Sequence, residues 1–170
     1  MTTLGDNVKL KERMLEMYWK CEGTKTGQMK GSVDIKGFED TMRVYGISWG
    51  VATNVDQQSG QATGKRLHEP LIITKPVDKA TPLLLNAMCS HENIKKTEFI
   101  YLDVPGGATA AAKMVKVFSI ITEDGYIGKI EAGSTSEGVL LEKIHLYFTK
   151  ITWRHEVSKA EAYDDRHDTI

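Results

Sequence analysis

The chain has little of what marks a stapled, membrane-embedded or nucleic-acid-binding protein. Its two cysteines, Cys21 and Cys89, are too few for a disulfide framework and read as reduced thiols. No apolar run approaches the ~20 residues that a membrane-spanning helix needs, so no membrane insertion is expected. The 22 basic residues are matched by 23 acidic ones, for a net charge of −1. Without a basic face to neutralise phosphates, nucleic acid is excluded as a main partner. The first ten residues hold no signal-type apolar core. The expectation is synthesis in the cytoplasm and, where the chain leaves the cell, export without a cleaved signal.

Recognisable chemistry is also missing. The run GQATGKR at 60–66 has three residues between its glycines and an arginine after the lysine. A phosphate-binding loop needs four, a serine or threonine after the lysine, and a helix behind it. GSTSEG at 133–138 lacks the spacing of a nucleophile elbow and reads as a hairpin loop. His68, His91, His145, His155 and His167 do not cluster with enough partners for zinc. Asp164, Asp165 and Asp168 lack the glycine and closing glutamate of a calcium loop. No catalytic residue, metal or cofactor is expected, and the chain reads as something other than an enzyme.

What remains is a succession of strand-like runs within one domain over 1–170, framed by a charged lead-in at 1–13 and a loose acidic tail at 157–170. A chain of 170 residues buries roughly 70% of its unfolded surface, so it needs no staple. Strands are read at 14–20, 31–38, 42–51, 67–75, 96–104, 110–122 and 140–153, with turns at Pro105-Gly106-Gly107 and Asp124-Gly125. Gly46 and Gly50 suggest the bends that let a sheet curl. Regular spacing of this kind predicts an all-β sandwich or barrel. One helix is announced at about 79–90, with Asp78 or Thr81 as N-cap and Pro82 in its first turn.

Two segments ask for a partner. Residues 52–66 form a polar stretch without periodicity, read as a long projecting loop, which is either a contact element or plain surface. In the last long strand Ile144, Leu146 and Phe148 line one face. His145, Tyr147, Thr149, Ile151 and Trp153 line the other, which is too apolar for water. A neighbouring subunit or the helix could cover it, and the pattern leaves both open.

The ordered string Arg66, Leu67, His68, Glu69, Pro70, then Lys75, Asp78, Ala80, Thr81, Pro82, Leu83 and Leu84 carries more. With Ser59, Gly60 and Gln61 before it and Lys150, Ile151, Thr152 and Trp153 at the end, it resembles the haemolysin-coregulated protein (Hcp) family, tube subunits of type VI secretion systems. The resemblance spans approximately residues 29–156. It implies a compact β-barrel with one flanking helix and a projecting loop. It further implies homohexameric rings that stack into a tube inside a contractile sheath. Such a tube is exported with the spike and can hold effector proteins in its lumen. Ring-stacking residues are then expected at Gln57, Gln58, Ser59, Gly60, Gln61 and Thr63. The face of His145, Tyr147, Thr149, Ile151 and Trp153 becomes the candidate subunit interface. The other reading is a monomeric β-barrel that binds a ligand or effector, which a mass in solution would separate.

Overall fold

The computed structural model describes residues 16–103 and 114–168. The lead-in at 1–13 and the turn at Pro105-Gly106-Gly107 lie outside the described residues. In chain order the strands are β1 (Glu16–Gly23), β2 (Gly27–Gln28), β3 (Met42–Arg43), β4 (Gly46–Ser48), β5 (Val51–Val55), β6 (Ala62–His68) and β7 (Leu71–Pro76). After the helix α1 (Thr81–Cys89) come β8 (Ile94–Asp103), β9 (Val115–Ser134), β10 (Leu140–His155) and β11 (Ala160–Asp165). All pairings among the described residues are antiparallel, and short loops join successive pairs such as β9–β10 and β10–β11.

The main sheet runs β2-β1-β8-β9-β10-β7-β4, with β3 on β1 and β11 on β10. Among the described residues the fold is all-β with one helix, as expected, but the strands do not close into the expected barrel. The sheet folds over itself in a sandwich-like arrangement. Residues 42–48 bridge its two margins by changing allegiance midway: Val44 N–H donates to Met17 O on β1, and Tyr45 N–H donates to Thr74 O on β7. The strand read over 42–51 is therefore two short pieces. The strand read at 67–75 is likewise cut, at Glu69 and Pro70, into β6 and β7, because proline cannot donate to a ladder.

Residues 31–38 form no strand. Phe38 N–H bonds back to Ile35 O and Asp40 N–H to Val33 O, and Gly37 and Asp40 take positive φ, so the segment curls onto itself. It covers the outer face of β1, where Phe38 stacks on Tyr18 with ring centroids 4.9 Å apart. Tyr18 and Trp19 thus face opposite ways and are both fully buried. Trp19 enters the main core with Met42, Ile73, Leu84, Phe99, Ile144 and Leu146. Burying each large apolar side chain contributes roughly 1.5–3 kcal/mol.

The expected turn at Asp124-Gly125 does not exist: β9 runs straight through it, and the hairpin loop lies at 135–139. The reason is close packing against β10. A side chain on Gly125 would run into the Tyr147 carbonyl, and one on Gly128 into the Tyr147 ring. Gly128 is the extra residue of a bulge, since Leu146 pairs with Ile127 and His145 with Lys129.

Strand β10 changes its inward face along its length. Glu142, Ile144, Leu146 and Phe148 point in, and then Ile151 does. The switch falls where β7, paired with residues 141–146, gives way to β11, paired with 150–155. The acidic tail is therefore not loose: its residues 160–165 are an edge strand. The helix begins where the proline allows. Ala80 is the N-cap, and Asp78 Oδ1 accepts from Ala80 N–H while Thr81 Oγ1 accepts from Asp78 N–H. Neither predicted residue is the cap itself, but together they shape the entry.

Candidate assembly surfaces

The stretch read as a loop over 52–66 is a β-hairpin. Strands β5 and β6 form their own two-stranded sheet, with no ladder to the main one. One side chain organises its tip: Asp56 Oδ1 accepts the N–H groups of Gln58 (2.9 Å) and Ser59 (2.8 Å) and the Ser59 hydroxyl (3.1 Å). These bonds, those from Ser59 first, hold the Asp56 carboxyl below the usual range. Gln57, Gln58, Ser59, Gly60 and Gln61 lie in this tip and Thr63 in β6, all exposed. Periodicity was unreadable here because β6 carries two extra residues between Thr63 and Leu67, with Gly64 at φ +80°. The hairpin also exposes Val51, Val55 and Leu67, the last 64% exposed.

The root of the hairpin is clamped by the chain's last strand. Arg66 Nε donates to Asp164 Oδ2 at 2.6 Å, and the Arg66 Nη2 donates to Asp165 O at 2.6 Å. His68 Nε2 meets the same Asp164 oxygen at 2.5 Å. The hydrogen bond from Arg66 holds the Asp164 carboxyl below its ordinary range, against the opposing effect of burial. The His68 ring lies against Trp153, at 6.2 Å, and edge-on to Phe148, at 5.5 Å.

A second polar cluster lies inside. Lys75 Nζ donates to Glu142 Oε1 (2.5 Å), Asp78 Oδ1 (3.0 Å) and Pro76 O (3.0 Å), and Thr81 Oγ1 donates to Glu142 Oε1 (2.8 Å). This ties β7, β10 and the start of α1 together. The residue string that carried the resemblance is thereby accounted for: Arg66 and His68 anchor the hairpin, and Lys75, Asp78 and Thr81 anchor the helix. The acceptor role of Asp164, considered above only as part of a calcium loop, and Glu142 itself escaped the sequence reading. Both residues lie 61 to 98 residues away in the chain, and no local pattern announces them.

The candidate interface residues do not form one face. Ile151 is 1% exposed and belongs to the core, and Trp153 packs against that core. This corrects the reading of Ile151 as a surface group, since it cannot meet a neighbour. His145 is mostly covered and lies 3.5 Å from Glu131. Thr149 is half-buried, and its carbonyl accepts Arg166 N–H. Tyr147 stays 46% exposed and stands directly opposite Tyr126, 51% exposed, on β9. That tyrosine pair is what remains of the predicted face.

Relatives agree with this architecture. The family described as "Type VI secretion system effector, Hcp" matches residues 18–155. The "Major exported protein" of Pseudomonas aeruginosa is 34% identical over 164 residues, covering 87% of this chain and 93% of that protein. Among solved structures, the secreted protein Hcp3 from Pseudomonas aeruginosa is 32% identical, with a TM-score of 0.71 over 88% of this chain and 98% of its own. The Hcp1 protein of an E. coli pathovar shares the fold, with a TM-score of 0.78 at 24% identity over 89% and 98% of the two chains. The chain belongs to the Hcp family of type VI secretion, a family of secreted structural proteins and not of enzymes.

Proposed function

We propose that this chain is a tube subunit that closes into homohexameric rings, which stack through the β5–β6 hairpin inside a contractile sheath. In this reading the protein is made in the cytoplasm, leaves with the spike without a cleaved signal, and carries effector proteins in the ring lumen. The observation that carries it is the hairpin: a separate two-stranded sheet, exposed along its length, that presents Val51, Val55 and Leu67 to solvent. An isolated two-stranded ribbon is marginal in water and gains by meeting a partner. A head-to-tail contact of this kind repeats on every copy, which is how rings build a tube. Tyr126 and Tyr147 are the proposed contact between neighbours within a ring. The reading as a monomeric ligand carrier finds no support in the interior, which Trp19, Met42, Leu84 and Phe99 fill.

The test combines mass and microscopy. Light scattering on the parent should report about six times 19.0 kDa, and negative stain should show rings and stacks. Replacing residues 57–63 with a short glycine-containing link should leave rings and abolish stacks and secretion. A monomer at tens of micromolar would end the ring proposal, and normal tubes from the shortened chain would end the stacking role.

A further inference from the structure

We propose that β11 works as a latch: its docking on β10, through Asp164, sets the direction in which the β5–β6 hairpin projects. The hairpin has no ladder to the main sheet, so its strands do not inherit a direction from it. At its base Glu69 N–H donates to Gly50 O at 2.9 Å, which closes the root. Among the described residues, the hairpin side chains that hydrogen-bond to the rest of the molecule are Arg66 and His68. Both of them end on β11 or just beyond it.

The chemistry of the clamp is directional. One carboxylate oxygen, Asp164 Oδ2, receives Arg66 Nε and His68 Nε2 together, while Arg66 Nη2 reaches round to Asp165 O. Three bonds that converge from one strand fix both the distance and the angle of the root. A single bond would leave a swivel. Charge-assisted bonds of this kind are short and geometrically selective. The other side of the latch is set as well. Arg166 N–H donates to Thr149 O at 3.0 Å, and the Arg166 guanidinium lies 5.2 Å from the Phe148 ring. Docked β11 is thus held in register with β10 and passes that register to the hairpin. An edge strand is the least costly part of a sheet to detach, so anything that draws the last strand away would release the hairpin. That such release would also undo ring stacking rests on the function proposed above.

Spin labels test this within one chain. Ser59→Cys, at the hairpin tip, is labelled together with the native exposed Cys89 on α1, and labelled protein is diluted into unlabelled chains. Electron–electron double resonance then reads the tip-to-helix distance distribution. In the parent background it should be narrow. Asp164→Asn should at least double its width. Lys30→Ala, which removes the Lys30–Asp40 pair, on neither β11 nor the hairpin, should leave it narrow. Should Asp164→Asn fail to fold, Arg66→Gln breaks the clamp from the hairpin side and should broaden the distribution equally. An unchanged width in the clamp variants overturns the latch, and so does equal broadening in Lys30→Ala. A background protein that forms no rings would sink the assembly proposal while the intrachain distance still decides the latch.

Discussion

Lys75 Nζ and Glu142 Oε1 lie 2.5 Å apart with neither side chain exposed to solvent. Asp78 and Thr81 complete the site, so two carboxylates share one buried ammonium at the junction of two strands and a helix. Removing one partner of such a cluster leaves uncompensated charge in a dry place, which costs far more than the pair contributes over an apolar replacement.

Lys75→Met is therefore expected to destabilise the fold by about 3–5 kcal/mol. The paired change Lys75→Met with Glu142→Leu should regain much of that loss. Guanidinium unfolding measures both, and equal losses in the single and double variants would count against this account.

Acid should unfold the protein through its depressed carboxylates. Glu92 is one of them: burial opposes its ionisation, but the N–H groups of Thr26 and Lys25 and the Thr26 hydroxyl outweigh it and hold the carboxyl low. Asp164 is held low by Arg66. In the unfolded chain such groups take up protons near their ordinary values of about 4, before the folded chain does. Their stabilisation is complete above those values and lost as pH falls through the lower folded ones. Asp164→Asn with Glu92→Gln should be less stable at neutral pH and lose less between about pH 5 and pH 3. Parallel pH profiles of the urea midpoint for parent and variant would refute this.

Gly125→Ala and Gly133→Ala should differ sharply. The first meets the Tyr147 backbone, while the second meets open space. Forcing a methyl into packed backbone costs typically 1–3 kcal/mol, whereas Gly133→Ala should change stability by less than about 1 kcal/mol. Thermal melts of the two variants check the contrast.

The two thiols should separate cleanly by reactivity. Cys21 is buried, and burial pushes its pKa well up, with Glu92 and Glu22 adding to it. Cys89 is exposed. A thiol reagent should titrate one cysteine in the native protein and both in denaturant. Two fast-reacting thiols without denaturant would show that β1 is more open than described.

Element types were readable where local pattern and tertiary environment agree. The alternation in β7 survives because one face of that strand is buried, and α1 is announced by Pro82 and the polar residues before it. Residues 31–38 alternate equally well yet form no strand, because their donors turn to nearby residues: Gly31 and Val33 N–H donate to the Asp40 and Thr41 carbonyls, and Phe38 N–H to Ile35 O. The Asp124-Gly125 pair spells a turn but lies in mid-strand, where β10 packs so closely that only glycine fits.

The sequence by itself determined the class of the protein: an all-β fold with one helix among the described residues, little charge bias, and a residue string that resembles the Hcp family. Only the tertiary structure decided what those residues do. Arg66, His68 and Lys75 are recognisable in the chain, but their acceptors arrive from strands laid down much later. The apolar second face of β10 was legible as a pattern. Whether it meets a neighbour or its own core depended on where β7 yields to β11, and that exchange buries Ile151 while leaving Tyr147 outside. Local sequence sets periodicity and turn chemistry, whereas burial is a property of the whole chain, and the contacts that fix it here join residues far apart.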